Sequence, residues 1–355
     1  MNNIKYIGMD VHSASISVAV RDAAGKLIME ATIQTQAAAI LGLIQGLKGP
    51  VQAALEEGTH AEWLHDLLSP HVAKLVVCDA RQMPRHKREK KNDRLDARKL
   101  AELLWLGNLK GVYHGNASLR ALRELTRSYL TLVRDTTQVM NRLKAIYRGR
   151  GIACAGTRVY SPRFREAWLA QLRERGVRAR AELLYQQLDL LLLLRHEAKK
   201  RMLAESRKQR AQEILLSIPS LGPVRVAVLM ALMQTPYRFR TKRQLWTYAG
   251  LSLVTRSSAD YRVIGGQLTR SPKPVLILGL NANHNHGLKA IFKDAAVTAL
   301  ARCQPFREFY TRWVAQGMKP ELARVTLARK IASVTLTLWK KGERFNAEHL
   351  KAQAA

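Results

Sequence analysis

Lys5-Tyr-Ile-Gly-Met-Asp10, Ser15-Ile-Ser-Val-Ala-Val-Arg21 and Leu27-Ile-Met-Glu-Ala-Thr-Ile33 follow one another with only short polar breaks between them. The first is a short apolar run ending in an acid, and the second alternates as a half-buried strand does. Ala23-Ala-Gly-Lys26 supplies the turn before the third. Three sequential strands are therefore expected at the start of the chain. A helix over 36–47, an apolar strand over Val51-Gln-Ala-Ala-Leu55, a helix over 61–68 and a strand over Lys74-Leu-Val-Val-Cys-Asp79 come next. Strands alternating with helices indicate a mixed α/β sheet.

An opening of three connected strands, the first carrying an Asp, is that of a ribonuclease-H-like fold. Its other acids fall where such a sheet would gather them. Glu56-Glu57-Gly58 follows the fourth strand directly, and the fifth runs into Arg85-His-Lys-Arg-Glu-Lys-Lys-Asn-Asp93-Arg-Leu-Asp96-Ala-Arg-Lys. A spacing of three puts Asp93 and Asp96 on one face of a helix that continues to Leu104. Two carboxylates inside a run of cations suit a site that draws in a phosphate backbone and holds a divalent metal. An acidic first helical turn, with Asp93 as cap and Asp96 near the positive end, accounts for the same residues.

From 119 to 146 the pattern is purely helical. Leu122, Thr126, Tyr129, Val133, Thr136, Met140, Leu143 and Tyr147 step by fours and threes, as a coiled-coil seam does. Gly149, Gly151 and Gly156 interrupt it, and a second helix is expected from about Ala181 to Leu216. Together they read as an antiparallel hairpin. Ile218-Pro-Ser-Leu-Gly222-Pro resembles the turn of a helix-hairpin-helix, whose backbone N–H groups can hold phosphate. A helix over 239–250, a loop or strand over Leu251–Ala259, a basic segment to Lys273 and helices from 274 to 341 complete the chain. The domains are accordingly 1–112, 113–212 and 213–345.

The 355 residues carry 59 Lys and Arg against 27 Asp and Glu, a formal net charge of +32. Such an excess implies a polyanionic partner, of which nucleic acid is the commonest. Leu190 to Leu194 is an apolar run far too short to span a bilayer, so it reads as contact surface. Cys78, Cys154 and Cys303 show no zinc spacing or disulfide framework, which fits a reducing cytoplasm, with nucleoid association expected of a nucleic-acid binder. The cluster Asn281-Ala-Asn-His284-Asn-His286 lacks a nearby carboxylate and is read as structural, His12 as hydrogen-bonding locally, and Trp63, Trp105 and Trp246 as core.

Five features occur in order: Ile7-Gly-Met-Asp10; Leu55-Glu56-Glu57-Gly58; Asn92-Asp93-Arg-Leu-Asp96-Ala with Leu100-Ala-Glu-Leu; Ile218-Pro-Ser-Leu-Gly222; and Tyr248-Ala-Gly-Leu251 with Ser258 seven residues on. Together they resemble the IS-one-ten family of insertion-sequence transposases, the DEDD transposases. The resemblance implies a RuvC-like N-terminal domain in which Asp10, Glu56, Asp93 and Asp96 form an acidic tetrad binding Mg²⁺. Glu57 competes with Glu56. It further implies a C-terminal domain in which Ser258, or Ser257, is the nucleophile. It also implies donor and target double-stranded DNA, a noncoding guide (bridge) RNA and a homodimer or homotetramer as partners, with no membrane. The chain departs from the family at Asn92, where Thr is usual, at Ala259, where Gly is usual, and over Leu268-Thr-Arg-Ser-Pro-Lys-Pro274. A structure-specific nuclease using the same acids on water, and a nucleic-acid-binding protein without catalysis, are the rival readings. An actin-like sugar kinase also begins with a strand ending in Asp, but Asp10-Val-His-Ser13 lacks the phosphate-binding Gly and the charge is wrong for it.

Overall fold

The computed structural model describes residues 3–79, 92–114, 119–256, 261–265, 267–270 and 276–347. The chain divides into two compact units, Met1–His114 and Gly115–Ala355.

The first unit is built on a five-stranded sheet of β1 (Lys5–Val11), β2 (Ser15–Arg21), β3 (Leu27–Gln34), β4 (Val51–Glu56) and β5 (Lys74–Cys78), in the order β3-β2-β1-β4-β5. β1, β2 and β3 pair antiparallel, while β4 lies parallel to β1 and β5 parallel to β4. The mixed sheet expected from the sequence is present, with strand ends within a residue of the alternating runs. Side-chain parity then separates its two faces. Ile7, Met9, Ile16, Val18, Val51, Ala53 and Leu55 turn one way, where Ile40 and Ile44 of α1 (Ala37–Gly46) and Leu64 and Leu68 of α2 (Ala61–Leu68) close over them. Burying each such side chain contributes about 2 kcal/mol.

The opposite face receives α3 (Asp93–Trp105). Ala97 and Ala101 pack against Ala19, and Leu104 against Ala54 and Val76. Gly8 lies under the helix so closely that a Cβ there would stand 2.1 Å from the Ala97 carbonyl oxygen and 2.4 Å from the Ala101 nitrogen. Charges fix the helix along its length. Arg98 makes a bidentate pair with Glu30, both contacts at 2.6 Å, and Arg21 reaches Glu102 at 3.1 Å. Trp105 donates its indole N–H to the Ala23 carbonyl and lies against Gly25. It is therefore partly exposed, as is Trp63, and neither belongs to the core expected of them.

In the second unit α4 (Arg120–Arg148) and α6 (Arg175–Arg207) form the antiparallel hairpin, joined by two short 3-10 turns and α5 (Arg165–Leu169). Of the seam residues, Leu122, Thr126, Thr136, Leu143 and Tyr147 are buried. Far from the root, Tyr147 and Tyr185 exchange a hydroxyl contact at 3.0 Å, and Tyr185 donates to the Val159 carbonyl. At the root, Leu122 and Met202 enter the main core of the unit.

The second long helix begins six residues earlier than expected and stops at Arg207. α7 (Ala211–Leu216) follows as a separate piece, and Gly222-Pro223 opens α8 (Pro223–Met233), so helices do flank the Gly-containing turn. α8 is buried almost all round among α7, α10 (His286–Arg302) and the hairpin root, and α12 (Pro320–Lys341) packs on α10, with α11 (Gln304–Ala315) against both. α9 spans only Lys242–Tyr248, because the Thr241 side chain caps it by accepting from the Gln244 N–H.

The helical expectation for 274–341 fails at its start. β9 (Leu276–Leu280) pairs antiparallel with β6 (Leu253–Arg256), and β7 (Tyr261–Ile264) with β8 (Gln267–Arg270) makes a hairpin between them in sequence. These strands have four or five residues, too few to display a period, and β6 finds its partner twenty residues away.

Candidate active site

Asp10 lies at the carboxyl end of β1 and Glu56 is the last residue of β4. The strands are parallel, with Met9 opposite Leu55, so Asp10 and Glu56 come next to each other at one rim, on strands about 4.8 Å apart. Both have the parity of Gly8 and Ala54, the residues under α3, and so point to the α3 face. Ser17, buried and directly opposite Asp10 on β2, shares that face.

The N-terminus of α3 overhangs the same rim. Asn92, in extended conformation, caps it by accepting from the Arg94 N–H at 3.1 Å. Asn and Thr are both good cap residues, so the departure at Asn92 keeps the local structure. Because Asn92 does the capping, Asp93 is left as the first helical residue with its carboxylate available for another contact. That contact is His12. Its Nε2 stands 3.2 Å from Asp10 Oδ2 and 3.3 Å from Asp93 Oδ2. Asp10, His12 and Asp93 present donor atoms within 4.8 Å of one another, the one such group among the described residues.

Electrostatics mark the same place. Burial pushes the Asp10 carboxyl above its ordinary value; the His12 ring opposes the shift, and the charges of Asp93 and Asp96 add to it. The charges of Asp93 and Asp96 thus disfavour ionising Asp10. A divalent cation reverses that preference, and hard carboxylate oxygens are what Mg²⁺ takes. The residues present fit such an ion.

Glu57 is engaged elsewhere. Its N–H donates to the Cys78 carbonyl at 2.8 Å, and its carboxylate lies 3.3 Å from His114 Nε2, whose ring stacks on His65. The charge of Glu56, by contrast, is felt at Cys78, whose thiol burial first and Glu56 second push up to about 11.

The local hydrogen bond expected of His12 is made, to Asp10, but its second contact, to Asp93, was missed. The available signal was parity, since His12 follows Asp10 by two along an extended strand and so shares its side. Ser257 and Ser258 lie outside the described residues, as does the basic run 80–91. The structure describes β6, which ends at Arg256 immediately before them, and its support. Gly250 adopts φ of +64° where a Cβ would strike the His284 ring, which accounts for the Gly in Tyr248-Ala-Gly-Leu251. The His284 and His286 rings lie 4.4 Å apart, and Asn285 caps α10 by accepting from the Leu288 N–H.

Two comparisons bear on this arrangement. Residues 7–149 match the model of the DEDD transposases of IS110 type, and residues 212–311 match that of the IS116/IS110/IS902 transposase family. The first takes in all four acids and the second both serines; together they cover more than half of the chain. No curated protein matches it. With a RuvC-like mixed sheet ahead of a helical C-terminal part, and the two matches in the family's order, the chain belongs to the IS110 family of transposases.

Proposed function

We propose that this transposase cuts and exchanges DNA strands with Mg²⁺ held by Asp10, Glu56, Asp93 and Asp96, and with Ser258 as the nucleophile. The observation that carries the reading is the meeting of Asp10 and Asp93, 83 positions apart, across His12. Glu56 is preferred to Glu57 because it shares the α3 face, and Asp96 lies one turn further along α3. Bound there, Mg²⁺ would supply charge stabilisation for the oxygens of a scissile phosphate. The protein's own part is to place the acids: β1 and β4 fix two of them by backbone pairing, and Gly8 lets α3 come down with the others.

Ser258 Oγ then forms a bond to phosphorus as the bond to one strand oxygen breaks. The serine gives up its proton to a base, and the departing oxygen gains one. A covalent phosphoserine link conserves the bond energy for rejoining. An element-encoded noncoding RNA guiding the choice of donor and target DNA fits the charge of +32, since both nucleic acids are held chiefly through phosphates.

The test is covalent trapping with Mg²⁺, element-junction DNA and the element's RNA, followed by denaturation. A shifted protein–DNA band is expected, lost in Ser258→Ala and kept in Ser257→Ala. Cleavage without any adduct would replace the serine link by a water nucleophile, as in a structure-specific nuclease.

A homodimer or homotetramer is supported by α6. Leu183, Leu190 and Leu193 stand 66%, 56% and 67% exposed on a helix whose other face is already packed on α4. An apolar row of this kind in water favours self-association. The pair Leu190→Glu and Leu193→Glu is expected to shift the sedimenting species to a smaller one at unchanged helix content. An unaltered sedimentation profile would place the contact elsewhere. Among the described residues no helix is long and apolar enough to cross a membrane.

A further inference from the structure

Between α9, α12 and Trp313 of α11, in the second unit, lies a cavity of about 680 Å³ whose walls combine cations with aromatic rings. Lys242, Arg329 and Lys330 contribute the charge, and Trp246, Trp313 and Phe345 the apolar surface. The one carboxylate in its lining, Glu343, already faces Lys341 at 3.6 Å. Arg329 also lines a second hollow with Arg243, Leu253 and Val254, so it stands between the large cavity and the strand that leads to the serines.

Arg329 is unusual in its partners. Its Nε donates to the Leu251 carbonyl, while Nη2 is buried with no hydrogen-bond partner among the described residues. Burial pulls its guanidinium below the ordinary arginine value, and among the described residues no carboxylate opposes this. Lys330 is lowered likewise, by burial and by Lys242. A desolvated guanidinium N–H without an acceptor, as at Arg329 Nη2, is costly in a folded protein, and an incoming phosphate removes the cost. The rings answer a second need. Unpaired bases bind proteins by stacking on aromatic side chains beside a cationic track for the backbone. A cavity of this size takes a small-molecule-sized group and excludes a duplex.

We propose that this cavity receives one unpaired nucleotide of the substrate DNA, its phosphate against Arg329 and Lys242 and its base among Trp246, Trp313 and Phe345. The choice of DNA over RNA rests on the proposed function, because Arg329 donates to Leu251, two residues before the strand that leads to the serines, and shares a hollow with Leu253 and Val254 of that strand. The site would hold a strand end or an extruded base in place close to where that strand is to be cut.

The test uses the full-length Ser258→Ala protein without divalent metal, so that its outcome is independent of the nucleophile. Hexathymidylate carrying one 5-iodouracil is photocrosslinked and the joined peptide identified, and affinity is followed by fluorescence anisotropy over a salt series. Crosslinks at Trp246, Trp313 or Phe345 are expected. Trp313→Ala and Lys242→Gln are each expected to weaken binding about tenfold, and Lys242→Gln to reduce the salt slope by about one. Arg329→Gln is expected to act as Lys242→Gln does. It also removes the contact to Leu251, so Lys242→Gln decides if that variant does not fold. Arg201→Gln, on the exposed side of α6, is the control for loss of general charge. Crosslinks only outside the cavity, or losses no larger than that of Arg201→Gln, would overturn the site. Losses confined to hexauridylate would overturn DNA as its occupant.

Discussion

Asp10→Asn is expected to lower strand cleavage by at least about a thousandfold, equivalent to about 4 kcal/mol of lost transition-state stabilisation. Nucleic-acid affinity should stay within about twofold, because phosphate contacts by Lys and Arg dominate it. The folded state should be as stable as the wild type or more so. Its carboxyl holds a proton more tightly folded than unfolded, since burial raises its pKa more than His12 lowers it. Over the pH range between those two values the native state binds the extra proton, so without metal stability falls as pH rises through it. Asn removes that dependence. Thermal melts across pH, with and without Mg²⁺, separate the cases. The wild type should gain stability on adding the ion and Asp10→Asn should not. Full cleavage in the variant, or an undiminished Mg²⁺ shift, would remove Asp10 from the site.

Gly8→Val is expected to abolish cleavage by a different route. The ideal Cβ position lies 2.1 Å and 2.4 Å from backbone atoms of Ala97 and Ala101, and backbone cannot swing aside as the end of a side chain can. α3 must lift from the sheet or the strand must bend, at a cost of about 3 kcal/mol. For a unit of this size that lowers the melting temperature by about 10 °C or more. Asp93 and Asp96 leave the rim with the helix. Loss of stability together with activity distinguishes this variant from Asp10→Asn. Gly58→Ala is the control, since its Cβ would meet nothing within 4 Å. A Gly8→Val protein that melts like the wild type would show that α3 does not pack there.

These two variants also mark how far the sequence could be read. β1 to β5 and the α4 seam carry long local patterns, and a period of two or between three and four identifies such elements without knowledge of their partners. β7, β8 and β9 have no such length, and β9 forms because β6 is there to pair with it. Asp10, Asp93 and Asp96 stood out by residue type and setting, but nothing in the chain says that α3 descends on β1 until Gly8 is seen beneath Ala97. The choice between Glu56 and Glu57 was open for a similar reason. Which of two neighbouring acids faces a given helix is decided by the residue at which the strand ends. Trp63 and Trp105 were misplaced because an apolar helix face does not reveal that its neighbour is a turn rather than a core.

The hairpin has one further consequence. α4 is 29 residues of continuous helix, about 44 Å at 1.5 Å per residue, against about 34–36 Å for one turn of duplex DNA. With Leu122 and Met202 embedded in the core at its root, the hairpin has a reach set by its residue count. Deleting seven residues from α4 and the facing seven from α6 would shorten it by about 10 Å while turning the helix faces by only about 20°. Substitutions at the exposed positions of α4 and α6 are therefore expected to be tolerated where this paired deletion is not, and recombination by the two kinds of variant checks it.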